Sequence, residues 1–350
     1  MILGQVSWLD CFVFLIFLAP QLIIHVGFFA TLSCGLQALP FLRKLKHSVS
    51  TSLDYILNSA LSLSQNRSHF YIKSILNFLR KGVLKSRAVI KLPLGIIYDR
   101  ILTSRAKRNL FVQQATWFED IVIRCVRYAF AYIPARIGRV FFSKAVSLPF
   151  LRFRMLRHKY LRSPISWHEV KKSTFEGLWM IRDPAKEPDI VIYYAHGGGF
   201  SMGSSYFYLE FLLAFLSLLK SQGGFQNPAI FALEYTLVPD ASYPTQLHQA
   251  IAGYKYILSI THNPSKICVS GDSAGATLIL SLLLHLGNVS IKGLKNIANS
   301  SAKEDIRPGM AVLISPWVTL VSPKDNNTSA DYLDADNLHL YARQYGKDRS

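Results

Sequence analysis

The stretch that most limits the fold is Gly271-Asp272-Ser273-Ala274-Gly275. It lies between a short β-rich run, Lys266–Ser270, and an apolar run with helical character, Ala276–Leu286. Strand, Gly-x-Ser-x-Gly, helix is the context of a nucleophile elbow. The sharp turn lifts a serine hydroxyl out of the sheet, and small neighbours spare the tight backbone from Cβ clashes. The start of the following helix offers free N–H groups and positive dipole to a developing oxyanion.

A second motif narrows the reading. His196-Gly197-Gly198-Gly199-Phe200 closes another apolar run, Ile190–Ala195, 77 residues ahead of Ser273. Three glycines after a strand let backbone N–H groups approach a substrate oxygen closely. Taken alone they read as a flexible turn. Together with the elbow, in this order, they read as a serine-hydrolase core. The N–H groups of Gly197, Gly198 and Gly199 would join that of Ala274 in an oxyanion hole. His196 reads as structural, holding its loop by hydrogen bonds, rather than as a base.

These motifs carry a resemblance. HGGGF at 196–200, EYTLVPDASYP at 234–244, GDSAG at 271–275 and SPW at 315–317 resemble the hormone-sensitive-lipase branch of the α/β-hydrolases. Asp272 as the elbow variant is typical of that branch. Within it the chain looks like the arylacetamide deacetylase and fungal steryl acetyl hydrolase type, over roughly residues 185–345. The resemblance implies ester cleavage through an acyl-enzyme on Ser273, no cofactor, and an apolar ester substrate such as a sterol or aryl acetate. It also implies residence in the endoplasmic reticulum membrane.

Charge separates the chain into parts. The net charge is +18, yet 24 Lys/Arg face four acids between Arg43 and Arg162. The basic character therefore belongs to the N-terminal part and not to the hydrolase-like core. The cations alternate with Phe, Ile, Leu and Val at helical spacing, which favours a lipid surface over nucleic acid. No zinc-ligand spacing or nucleic-acid-binding signature is visible. Cys11, Cys34, Cys125 and Cys268 show no paired spacing, and none reads as a nucleophile.

Residues 11–42 carry no charged side chain. As one helix they would reach ~48 Å, longer than the ~30 Å hydrocarbon core, so a tilted span kinked at Pro20 or a re-entrant hairpin fits. Residues 1–45 are thus expected to be a retained membrane anchor rather than a cleaved signal peptide. Arg43, Lys44 and Lys46 would hold the following chain in the cytosol. The resembling enzymes place theirs in the lumen, and Asn-x-Ser/Thr triplets occur at Asn66, Asn288, Asn299, Asn326 and Asn327. Topology stays open at this point. Residues 46–165 read as basic amphipathic helices, with apolar positions such as Leu53, Ile56, Leu57 and Leu61 at three and four. By resemblance the aromatic and basic stretch Trp117–Arg162 is a cap over the pocket. A membrane-docking surface is the alternative.

Residues 166–350 read as the α/β core. Strands are expected at Glu176–Ile181, Ile190–Ala195, Ala229–Tyr235, before the elbow, and at Met310–Ser315. Helices are expected over Tyr206–Leu219, from Pro244 as first residue to about Leu258, and after the elbow, with a polar loop around Ile291–Asp305. Such alternation gives a mostly parallel sheet with flanking helices. A base and an acid for Ser273 are missing from this pattern. After the serine stand only His285, about 18 Å up the following helix, and His339, with Asp336 three residues before it. The family carries its acid and histidine on later strand ends. The chain is therefore expected to be a truncated form of an ordinary esterase, lacking the last strands and exposing an aggregation-prone sheet edge. The alternative is a catalytically dead membrane protein of the same fold that binds a lipid or a partner.

Overall fold

The computed structural model describes residues 2–26, 94–295, 306–321 and 333–347. Most of the helical pattern over 53–110, and the sequons at Asn66, Asn299, Asn326 and Asn327, lie outside them. Contacts sort the chain into two units, one of residues 1–17, 133–327 and 333–350, the other of residues 18–132 and 328–332. The division falls elsewhere than the boundary expected at 165. The helices just before the sheet group with it.

The apolar N-terminal run forms α1, Trp8–Val26, with Pro20 inside it. Its stretch Trp8–His25 is long and apolar enough to cross a membrane. In the second unit, α2 (Leu110–Gln114) opens on an Asn109 side chain that accepts from the Phe111 N–H. There α3 (Trp117–Tyr132) carries Asp120 in its first turn. Arg100 and Arg124 each bond that buried carboxylate, at 2.8 and 2.7 Å. Burial pushes the Asp120 carboxyl up, but hydrogen bonds from the two guanidiniums outweigh this and hold it below the usual carboxylate range.

The first unit is a mixed sheet between two helix layers, the α/β-hydrolase class expected from the sequence. Before it come α4 (Ala135–Phe141) and α5 (Lys144–Arg157). The strands are β1 (Ser166–Lys171), β2 (Glu176–Ile181), β3 (Val191–Ala195), β4 (Ala229–Glu234), β5 (Ile267–Asp272) and β6 (Met310–Ile314). Their order is β1-β2-β4-β3-β5-β6. β2 runs antiparallel to both neighbours, and the rest are parallel. β3 and β5 are buried almost end to end, as strands covered on both faces must be.

Alternate residues feed two cores. Tyr193, Phe231 and Val269 face α7 (Thr245–Thr261) and α8 (Ala274–Lys295), meeting Tyr254, Ile257, Leu278 and Leu282. Ile192, Tyr194, Ile230 and Cys268 face α6 (Ser205–Ser221) and α5, meeting Leu209, Leu212, Leu151 and Met155. The stretch expected as a cap thus supplies a helix, α5, that covers the sheet itself.

Two local expectations are corrected. Pro244 is the N-cap of α7, not its first residue; its ψ of 16° has not yet entered the helix. The loop expected from Ile291 begins later, because α8 continues to Lys295. At the far edge, β6 pairs only with β5 among the described residues. It leaves Met310, Val312 and Ile314 about half exposed. The last helix, α9 (Ala335–Gly346), starts at Asp334, whose side chain accepts from the Asn337 N–H.

Candidate active site

Strand register builds the site. In the β3–β5 ladder Ala195 stands opposite Gly271. The loops leaving the two strands, His196–Phe200 and Asp272–Ala274, therefore emerge side by side. The closeness requires glycine: a Cβ on Gly271 would meet the Ala195 carbonyl oxygen at 2.7 Å, and one on Gly275 would meet that of His196 at 2.5 Å.

Ser273 sits at the turn with φ of +50°, which a side chain other than glycine's adopts only under constraint. The constraint is visible. Its N–H donates to the Ile314 carbonyl at 2.9 Å, and its carbonyl accepts from Thr277 at 3.1 Å and Trp317 at 3.3 Å. The Thr277 hydroxyl donates to the Trp317 carbonyl at 2.8 Å. The Ser-Pro-Trp segment, itself turned through Ser315 at φ +45°, thus wraps the elbow. Ala274 opens α8, so its N–H is among those a helix leaves without an internal partner.

The glycine loop folds tightly. Gly198 and Gly199 have φ of +120° and +61°, and the Gly198 carbonyl accepts from Ser201 and Met202. Their own N–H groups donate to no other group among the described residues. Gly197 differs from the expectation. Its N–H donates to Asp272 Oδ1 at 2.8 Å, so it is engaged by the elbow and not offered to a substrate.

Asp272 is more than a motif letter. Besides Gly197 it accepts from the Tyr194 hydroxyl on Oδ1 and from the Tyr208 hydroxyl on Oδ2, each at 2.8 Å. Burial, then the Asp272 charge, pushes the Tyr194 phenol well above its usual range, which keeps it a donor. Three elements, β3, α6 and the glycine loop, are tied to the residue before the serine.

His196 is buried and stacks on Tyr235 with ring centroids 4.4 Å apart. Its Nδ1 lies 2.7 Å from the Gly197 carbonyl, and the Tyr235 hydroxyl donates to its own carbonyl at 2.7 Å. That geometry is a loop support. Arg139 on α4 adds another that the sequence did not signal. It donates to the Ser201 carbonyl at 3.0 Å, to the Val238 carbonyl, and to Asp240 at 2.7 Å. Its only sequence trace is a cation within an amphipathic helix. α9 closes the far side: Tyr345 stacks on Phe200 at 3.9 Å, and a Cβ on Gly199 would meet the Tyr341 ring at 2.9 Å. Burial raises the phenols of both tyrosines. No histidine is hydrogen-bonded to the Ser273 hydroxyl among the described residues.

A sequence profile of the family described as steryl acetyl hydrolase matches residues 88–344. The chain belongs to that family. Among curated relatives, an acetyl-hydrolase of Streptomyces hygroscopicus is 26% identical over 166 residues, 46% of this chain and 48% of the relative. The neutral cholesterol ester hydrolase 1 of Pongo abelii is 33% identical over 121 residues, 32% of this chain and 27% of the relative. The steryl acetyl hydrolase 1 of Saccharomyces cerevisiae is 27% identical over 139 residues, 39% and 28%. Matched stretches thus span about half of these relatives or less. Among solved structures, an esterase of the bacterial hormone-sensitive lipase family superposes with a TM-score of 0.48 at 22% identity, covering 68% of this chain and 71% of that one.

Proposed function

We propose that the chain is a serine ester hydrolase acting on an apolar ester, a sterol or aryl acetate, at the endoplasmic reticulum membrane. Membership of the family and the names of the relatives support the ester. The observation that supports the mechanism is the pairing of Ala195 with Gly271, from which the glycine loop and the elbow leave neighbouring strands at the same level. Ser273 attacks the ester carbonyl, and its proton leaves with a base. The developing oxyanion is held by the N–H groups of Gly198, Gly199 and Ala274. The alcohol departs, and water clears the acyl-enzyme. Gly197, Gly271, Asp272, Gly275 and His196 support the loops and do not touch the substrate. Membrane contact comes from the apolar N-terminal residues and the basic region 43–162.

A second reading, a non-catalytic protein that binds a lipid in the same fold, is favoured by one observation: among the described residues no histidine is hydrogen-bonded to Ser273. Fluorophosphonate labelling of the 350-residue chain in detergent, beside Ser273→Ala, decides between them. Labelling lost in the variant marks an activated serine. A folded chain that takes no label favours the binding protein.

A further inference from the structure

The direction of the Gly198 and Gly199 N–H groups is not chosen by the glycines themselves. Glycine takes positive φ, here +120° and +61°, about as readily as negative φ, so a run of three has no preferred path. A donor to a developing charge works only when it is held within about 0.5 Å of its place. Contacts from outside the run must hold it.

The incoming leg is held by the Gly197 bond to Asp272 and by the His196 stack. The outgoing leg, Ser201–Ser204, is held by α4 and its C-cap Phe142. Arg139 Nε donates to the Ser201 carbonyl at 3.0 Å. The Met202 sulfur lies 3.6 Å from where a Cβ on Gly138 would stand. The Ser204 hydroxyl donates to the Phe142 carbonyl, and the Phe142 ring meets Phe207 edge to face at 4.7 Å.

This leg reaches the donors in one step. The Ser201 and Met202 N–H groups donate to the Gly198 carbonyl at 3.1 and 3.0 Å. That carbonyl and the Gly199 N–H belong to one planar trans peptide and point in opposite directions. Fixing the carbonyl toward residues 201 and 202 therefore aims the Gly199 N–H away from them. Arg139 Nη2 also donates to the Val238 carbonyl, and the Val238 N–H donates to the Phe200 carbonyl at 2.9 Å. One guanidinium thus ties the glycine loop to the loop after β4. Its third partner, Asp240, is mostly exposed and adds little.

We infer that Arg139 is a positioning residue for the oxyanion hole, setting through the Ser201 and Val238 carbonyls the peptide plane that carries the Gly199 N–H. The inference rests on the ester-hydrolase reading given above. Bonds to an oxyanion strengthen in the transition state, so a tilted donor slows the chemical step and leaves binding almost unchanged.

The test uses the 350-residue chain in detergent with Arg139→Met, Arg139→Lys and Arg136→Met, the last an exposed cation on the same helix. Fluorophosphonate labelling of Ser273 over a range of probe concentrations separates the maximal rate from the half-saturating concentration. Arg139→Met is expected to lower the maximal rate about 10²-fold at unchanged half-saturation. Arg139→Lys, whose single ammonium cannot fork to two carbonyls, is slowed less, and carries the comparison if Arg139→Met does not fold. Arg136→Met labels like the unmodified chain. Hydrogen exchange is read alongside: the amides of 197–203 lose protection in the Arg139 variants, while those of β3 and β5 keep theirs. Labelling and exchange both unchanged in a folded Arg139 variant would overturn the inference. So would exchange raised evenly over the sheet, or an effect confined to half-saturation. An unmodified chain that takes no label overturns the hydrolase reading and with it the oxyanion role; exchange lost only at 197–203 would then leave Arg139 as the brace of the turn alone.

Discussion

Two carboxylates of the hydrolase unit are held in opposite ways. Asp10 of α1 lies fully buried between the guanidiniums of Arg154 and Arg157 of α5. Asp272 is half-buried and accepts from two phenols and one peptide N–H, with no cation paired to it among the described residues. The first arrangement is a clamp, in which full charges fasten one helix to another. The second is a spacer. Neutral donors converge on one carboxylate from three elements and fix how far the glycine loop stands from the serine.

The largest effect is expected at the clamp. Arg154→Met leaves a buried carboxylate with one partner fewer and should cost about 3–5 kcal/mol in denaturant unfolding. Asp10→Leu combined with Arg154→Met should cost far less, since both charges leave together. Equal losses in the two would mean that packing, not charge, holds α1. Next comes Asp272→Ala, which strands three donors. A labelling rate at Ser273 lowered about 10²–10³-fold is expected, the size of a lost oxyanion donor. Asp272→Asn should recover most of it, because the amide oxygen still accepts from Gly197 and Tyr194. An Asn variant as slow as the Ala variant would show that the charge itself matters. Tyr208→Phe removes the bond to Asp272 Oδ2 and should lower stability by about 1.5–3 kcal/mol.

The smallest effect on stability belongs to a third place, the β6 edge. Val312→Lys puts a charge on an exposed, half-paired strand. It should change unfolding by less than ~0.5 kcal/mol while reducing light scattering on concentration.

The sheet was legible because β3, β4 and β5 are short apolar runs ended by motifs, and the helices between them keep a 3.6 period. The elbow was legible because glycine spacing records where backbones nearly touch, as at Gly271 and Gly275. What stayed hidden depends on long-range partners. Nothing in the letters Gly197 and Asp272 says that the N–H of one is spent on the side chain of the other, 75 residues away. Nothing local says that Arg139 reaches the Ser201 carbonyl, or that Asp10 in an apolar run meets arginines about 145 residues on. Basic side chains in 133–162 looked like a lipid-facing excess. Several are internal fasteners.

Fragment choice follows from α5. A piece cut to begin at the first strand would keep every motif and still strip the cover from Leu209 and Leu212, and would leave the Ser201 and Val238 carbonyls without Arg139. A piece that keeps these covers starts near Ile133, where the contacts of this unit resume, and still lacks residues 1–17, which belong to the same unit. Adding residues 1–17 back as a separate peptide would ask whether the first turn of α1 rebinds without a covalent link.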